Sequence, residues 1–452
     1  MESRFREINL KVNMRNSIRI NKIIKSYDKS IFIEGDKSLS IRWALLASQA
    51  SGKSVSKNLL LSEDVLNTLK CLQKLGVKVT LNKNKCEIFG KGLNSYNYKK
   101  NIILDAGNSG TLARLIMGLL IHSKNKIKII GDDSLSKRDF LRVTKPLARL
   151  GATFQTNSGK LPIIINGTKN AKPIKYFENI GSAQCKSAVI LAALNTMGTT
   201  KIKAKKSRNH TELLLKHLGV PIKVVKKENF DLIEINNNKK NFNSFKYNIP
   251  SDISSSAFFI ALTVLAKKSK LKIKNVNINP SRIGIIKILK KMGVKINIKN
   301  IKKYKGEKIA DIYVKSTKNI KPINCPTNLN SSAIDEFLII FLIAAKANGT
   351  SYFKKLSELD KKESPRLFWG SKILDLMGVK TILKKDSIKI YGNPNLKISK
   401  KITIQNFMKD HRVFMTSVIA ALTFGGDWTI HDKDSIKTSF PSFYDRINYL
   451  RK

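Results

Sequence analysis

Six short polar segments in this chain read as helix starts, and most bring a charged or amide side chain with them. They are Gly35-Asp36-Lys37-Ser38, Gly107-Asn108-Ser109-Gly110-Thr111, Gly181-Ser182-Ala183-Gln184, Ser251-Asp252-Ile253-Ser254-Ser255, Ser331-Ser332-Ala333-Ile334-Asp335 and Lys409-Asp410-His411-Arg412. The first turn of a helix carries unpaired N–H groups and the positive end of its dipole, so each start favours an anion. Guanidinium forks such as those of Arg208 and Arg366 suit oxyanions bidentately. A lysine placed like Lys37 can carry a proton, because desolvation or neighbouring cations lower its pKa. Glu363 and Arg366 stand three apart, a spacing that puts both on one helix face. Six such starts around one cleft would form a receptor for phosphates and carboxylates.

The starts recur roughly every 70–80 residues, the mark of an internal repeat. Each opens an apolar helix, followed by a basic, β-rich segment and a second helix. That helix usually closes on a Leu-Gly or Met-Gly turn, at Gly76, Gly151, Gly219, Gly293 and Gly378. Glycine there suits the left-handed position that ends a helix. The first helices, such as 188–194 and 413–422, are apolar all round and therefore buried. Segments such as 126–130 and 270–274 alternate lysine with apolar residues, so one face is wet and the other dry. The fold class is α/β with helices inside and half-exposed sheets outside, the reverse of the usual α/β barrel. A chain of 452 residues is too long for one ordinary core. The six units divide into three plus three. One domain is expected over 35–250 and the other over 251–452 plus 1–34, with crossovers near 34–35 and 250–251.

The net charge is +53, but the lysines are spread through every segment alongside many Asn and Ile. That pattern reads as a composition bias and a solvated surface. It forms no tail or stripe and accompanies no nucleic-acid motif, so no nucleic-acid partner is expected. Cys71, Cys86, Cys185 and Cys325 share no metal or redox spacing and suggest a reduced, cytoplasmic setting. The histidines show no zinc pattern, and His210 and His217 read as surface or packing residues. The longest apolar stretch, 337–345, is too short to span a bilayer, so no membrane partner is expected. Residues 1–30 are basic but lack an apolar signal core. They read as a poorly ordered extension leading into a first strand.

The ordered set of motifs resembles the 5-enolpyruvylshikimate-3-phosphate synthase family, whose members are 3-phosphoshikimate 1-carboxyvinyltransferases. The pieces that carry the resemblance are Gly-Asp-Lys-Ser-Leu-Ser-Ile-Arg (35–42), Gly-Asn-Ser-Gly-Thr (107–111), Ser-Ala-Gln-Cys-Lys-Ser-Ala (182–188), Ser-Arg-Asn-His-Thr-Glu (207–212), Lys-Glu-Ser-Pro-Arg-Leu (362–367), Asp-His-Arg (410–412) and Thr-Ser-Phe-Pro (438–441). The Ser-Ala-Gln form of the third loop looks like the family's second bacterial class. The resemblance implies a two-domain inside-out α/β barrel, the enolpyruvyl transferase fold. It implies transfer of the enolpyruvyl group of phosphoenolpyruvate to the 5-hydroxyl of shikimate 3-phosphate, with no metal or redox cofactor and a monomeric protein.

By that resemblance, Lys37, Asp335 and Glu363 are the catalytic residues. Lys37, Ser38, Arg42, Ser182, Ala183, Gln184, Arg208, Asp335 and Lys362 would hold shikimate 3-phosphate. Lys37, Asn108, Gly110, Thr111, Arg138, Gln184, Arg366 and Arg412 would hold phosphoenolpyruvate. His411 and Asp410 would orient the last loop, and the fourth start would support the crossover. Lys437 is one place out of register with a lysine of some relatives. Glu34, Ile41, Asp139 and Pro365 depart from the family pattern and suggest a divergent member. The pooled cations would repel and hold the two halves apart until anions draw them shut. Two rivals are a UDP-N-acetylglucosamine 1-carboxyvinyltransferase and a non-enzymatic basic nucleic-acid-binding repeat protein. The first usually carries a reactive cysteine in the second unit's loop, and residues 132–141 contain none.

Overall fold

The computed structural model describes residues 16–237 and 241–452. Its buried framework is six helices, one at each predicted start: α1 (Lys37–Ala47), α2 (Gly110–Leu120), α3 (Ala183–Ala193), α4 (Ile253–Leu265), α5 (Phe337–Ala344) and α6 (His411–Phe424). Every residue of α4 and α5 is buried, and the other four expose little beyond their first turns. A helix without a polar face can be stable only inside. Among the described residues six sheets lie outside them, five mixed and one, built from strands within 349–392, antiparallel. Strands such as Gly198–Lys205 alternate exposed lysine with buried residues, as the period-two pattern requires. The five predicted glycine turns all hold the left-handed conformation, with φ between 74° and 114°.

The apolar residues divide between two buried clusters. One draws on residues 39–249, the other on residues 20–33 and 253–450. The strand Lys175–Glu178, which leads into α3, pairs parallel within its own unit's sheet. The strands before α1 and α4 are instead exchanged. Asp28–Phe32 pairs with Lys270–Asn277 in the fourth unit's sheet, and Lys246–Asn248 pairs with Ser51–Lys57 in the first. The two chain passages meet side by side. Asp36 N donates to Pro250 O at 2.8 Å, Asp252 N donates to Glu34 O at 3.1 Å, and Gly35 bridges Ser251.

Two expectations need correction. Residues 17–30 are built into the fold, because Ser17–Ile20 pairs with Gly425–His431 and Ile20, Ile24 and Tyr27 are buried. Residues 1–15 of the expected extension lie outside the described residues. The fifth start also differs: a short helix, Asn330–Ala333, comes first, and α5 begins only at Phe337 with no side-chain cap.

Helices α2 and α3 touch closely at Gly118. A Cβ there would stand 2.1 Å from the Ala188 carbonyl oxygen, so the two helices would have to separate. Gly118→Ala is expected to cost at least about 2 kcal/mol. A urea unfolding midpoint would show it.

Candidate functional site

The site is assembled from the starts inward. Asp36 caps α1 by accepting from Leu39 N at 2.9 Å, Ser109 caps α2, Ser182 caps α3, Asp252 caps α4 and Asp410 caps α6. These caps occupy N–H groups that an anion would otherwise use. Recognition therefore falls more on side chains than helix ends alone would suggest.

Lys37 opens α1, and its Nζ donates to Asp64 Oδ2 at 2.8 Å. Asp64 is buried on the helix Glu63–Lys74. Burial pushes its carboxyl above the usual range, although Lys37 pulls the other way. Arg42 is buried one turn on. It donates to Ser38 O at 3.1 Å, Thr211 Oγ1 at 2.9 Å and Ser187 Oγ at 3.3 Å, which ties the first unit to the third. Burial lowers its pKa to about 10, so it stays charged at neutral pH.

In the second unit Asn108 lies between Asp132 (2.6 Å) and Arg138 (3.1 Å). Gln184 spans to this loop: its Nε2 donates to Thr111 Oγ1 at 2.9 Å, while its Oε1 accepts from Arg114 at 2.9 Å. Glu178 accepts from Ile180 N and Gly181 N, at 3.1 and 2.8 Å, and so holds the loop that presents Ser182 and Ala183.

The carboxylates come from the other half. Asp335 receives Arg208, Lys362 at 3.2 Å and Arg366 at 3.6 Å, while Arg412 donates to its backbone oxygen at 2.6 Å. Glu363 pairs with Arg366 and lies 3.7 Å from Arg138. Burial raises both carboxyls, but these cations outweigh it and hold both well below the usual range. Asp410 clamps Arg366 with bonds of 2.8 and 3.2 Å. His411 is buried and pushed down to about 3, first by burial and next by Lys37, so it is neutral at pH 7. Its ring nitrogen meets Thr438 at 3.2 Å.

The structure thus joins Asn108, Arg138, Arg208, Asp335, Lys362, Glu363, Arg366 and Arg412 into one run of contacts, while Gln184 meets Thr111 and Arg114, and Lys37 and Arg42 hold partners of their own. Ser38 and Gly110 line the site from their helix starts. Glu363 and Arg366 meet, but not on a shared helix face: the helix Arg366–Leu376 starts at Arg366, with Pro365 at its N-cap and Glu363 in the preceding loop. The cations do not simply repel across the gap. Arg208 and Arg138 pair with carboxylates of the opposite half, as does Arg142 with Glu358 at 3.4 Å. Lys437 is outside the network, exposed and paired with Asp434. His210 is fully buried against Glu307 at 2.6 Å rather than on the surface.

A sequence model described as EPSP synthase (3-phosphoshikimate 1-carboxyvinyltransferase) matches residues 22–447. The chain belongs to the EPSP synthase family. It is 40% identical over 426 residues to the 3-phosphoshikimate 1-carboxyvinyltransferase of Ruthia magnifica, covering 92% of this chain and 94% of that one. It is 37% identical over 441 residues to that of Caldicellulosiruptor bescii, covering 97% and 98%. The EPSP synthase structure from Acinetobacter baumannii superposes with a TM-score of 0.84 at 33% identity, over 96% of this chain and 98% of that one. An enolpyruvyl transferase of Streptomyces tendae shares the fold, with a TM-score of 0.75 at 12% identity over 96% and 97% of the two chains.

Asp64 and Arg114 were not among the residues read as functional. Asp64 looks like an ordinary acidic first-turn residue. Arg114 carried a usable signal: it stands four residues after Gly110 in an apolar helix, as Arg42 stands four after Ser38.

The depressed Asp335 carboxyl makes a pH-dependent contribution. Its folded pKa lies below the unfolded value of about 3.9, so the stabilisation is full above that pH and is lost as pH falls through the folded value. Asp335→Asn should cost on the order of 3 kcal/mol at pH 7 by leaving buried cations unmatched. In urea melts, the gap to the parent protein should narrow below about pH 4.

Proposed function

We propose that this protein transfers the enolpyruvyl group of phosphoenolpyruvate to the 5-hydroxyl of shikimate 3-phosphate, releasing phosphate. The observation that carries this reading is the convergence, between two cores, of seven cations with Asp335 and Glu363, in the motif order of the family. The 5-hydroxyl oxygen adds to C2 of the enol while C3 gains a proton. The tetrahedral ketal then loses a proton from C3 and expels phosphate. Atoms and electrons balance without a metal or redox group.

Asp335 is ionised and takes the 5-hydroxyl proton. Arg208, Arg42, Lys362, Ser38, Ser182, Ala183 and Gln184 hold the shikimate phosphate and hydroxyls. Arg138, Arg366, Arg412, Asn108, Gly110, Thr111 and Lys37 hold phosphoenolpyruvate. Glu363 begins as a base. Once Arg366 and Arg138 turn to the incoming anions its pKa rises, so it can take up a proton from solvent, give it to C3 in the addition and take one back from C3 in the elimination. The two cores act as domains, 35–250 and 251–452 with the segment before residue 35, and substrate anions compete for the ion pairs that join them.

The protein works as a cytoplasmic monomer on these two small anions, without nucleic acid or membrane. Among the described residues, no helix is long and apolar enough to cross a membrane. The described cysteines that are free, Cys71, Cys86, Cys185 and Cys325, are all buried, which disfavours the UDP-sugar rival.

The deciding experiment is phosphate release that requires both substrates. Lys37→Met and Asp335→Ala are each expected to lower kcat by roughly 10²-fold or more. Release from phosphoenolpyruvate with a UDP-amino sugar alone would overturn the reading. A Cβ on Gly110 would stand 2.7 Å from Arg114 Nη1 and 3.1 Å from Arg138 Nη1. Gly110→Ala should therefore raise the KM for phosphoenolpyruvate more than that for shikimate 3-phosphate, in steady-state titrations of each.

A further inference from the structure

Arg282 lies outside the cleft, in the loop between the strand Lys270–Asn277 and the helix Gly284–Lys291, and its side chain is 2% exposed. It stands where the two crossovers touch. One Nη reaches Asp36 Oδ2 at 3.3 Å, and the other reaches Asp252 Oδ1 at 3.3 Å and Ser254 Oγ at 2.7 Å. Both carboxylates hold the first turn of α1: Asp36 accepts from Leu39 N at 2.9 Å, and Asp252 Oδ2 accepts from Lys37 N at 3.1 Å. Two buried carboxylates this close repel, and Arg282 is the cation between them. His210, from the first half, completes the cage, with Nε2 at 3.4 Å from Arg282 and Nδ1 at 2.6 Å from Glu307. Arginine has only donors, so His210 Nε2 accepts and Nδ1–H donates to Glu307.

We propose that Arg282 is a positioning residue for Lys37: through Asp36 and Asp252 it fixes the first turn of α1 against the other half, and so sets where the Lys37 ammonium stands. The inference rests on the enolpyruvyl-transfer reading only for its kinetic consequence. Without the guanidinium, the two carboxylates separate or take up a proton, and the Lys37 backbone loses its partner. The rest of the shikimate subsite, held by Arg42, Arg208 and Lys362, keeps its own contacts.

The test compares Arg282→Met and Arg282→Lys with the parent protein. Two readouts are used: steady-state kinetics with shikimate 3-phosphate binding, and amide hydrogen exchange resolved at residues 37–39. Arg282→Met should lower kcat at least tenfold and raise the KM for phosphoenolpyruvate, with shikimate 3-phosphate affinity within about twofold of the parent. Arg282→Lys should be intermediate, because lysine keeps the charge but not the fork. Exchange at Lys37 and Leu39 should rise at least tenfold above any change at the first turns of α2 and α3. Unchanged kinetics and protection, or an equal loss of protection at all three helix starts, would overturn the proposal. If Arg282→Met does not fold, Arg282→Lys carries the same comparison. If the parent protein releases no phosphate, the functional reading fails, while the exchange comparison still decides the role of Arg282.

Discussion

Buried like charges must be matched, and the whole site depends on how this chain matches them. Lys37, Arg42, Arg138, Arg208, Lys362, Arg366 and Arg412 lie in one gap, and left alone they would drive its walls apart. The chain answers with carboxylates, and the central ones cross the gap. Asp335 meets Arg208, and Glu363 stands near Arg138. Asp410 holds Arg366 from within its own half, and Asp64 holds Lys37. Each cation is therefore aimed before a ligand arrives. Under the proposed function, substrate binding exchanges these internal carboxylates for phosphate and carboxylate groups of the ligands. Such preorganised charge is the largest lever available to a reaction that develops and moves negative charge.

The inside-out architecture explains why these groups can meet. Helices with no polar face must be interior, so their starts are the only points at which they reach the gap. Five of the six starts are capped by their own Asp or Ser. The caps fix the loops, and side chains one to six positions later, from Lys37 to Arg42 in α1, do the reaching. The same logic places the crossover strands. Because Asp28–Phe32 and Lys246–Asn248 are exchanged between halves, Asp36 and Asp252 fall side by side where α1 and α4 begin. The turn that bears Lys37 is consequently held by residues of both halves.

Much of this was legible in the sequence, for physical reasons. All-apolar helices and lysine-alternating strands can be arranged in few ways, so burial and layering followed from periodicity. The glycines after Leu75, Leu150, Leu218, Met292 and Met377 announced left-handed turns that other residues resist. The polar starts marked most of the cleft. What stayed hidden depended on pairings distant in sequence. Asp64 is 27 residues from Lys37, and Arg282 is 246 from Asp36. Neither has a local pattern, since a lone acidic residue at a helix start serves the dipole equally well. The three-residue spacing of Glu363 and Arg366 suggested one helix face, but Pro365 caps the helix between them, and the loop makes the contact instead. The strand Ser17–Ile20, inside the segment expected to be poorly ordered, was not foreseen because two isoleucines over four residues are too short a pattern, and only the partner strand at 425–431 reveals its register.

The charge arrangement also constrains where the moving proton can reside. His411 is neutral and occupied with Thr438, so it offers neither a charge nor a free proton at pH 7. Asp335 and Glu363 are held ionised by arginines, so before substrates bind both are bases. Asp64 differs: it is buried, its carboxyl is displaced upward, and its closest charged partner is Lys37. Lys37 Nζ donates to the Asp64 carboxylate at 2.8 Å, and that contact fixes where the lysine head stands. Addition and elimination make opposite demands at C3, first a proton donated and then one removed. A site containing only strongly ionised carboxylates would serve the second step alone. Under the proposed transfer the first step therefore turns on Glu363, whose carboxyl can gain a proton only once incoming anions draw Arg366 and Arg138 away from it.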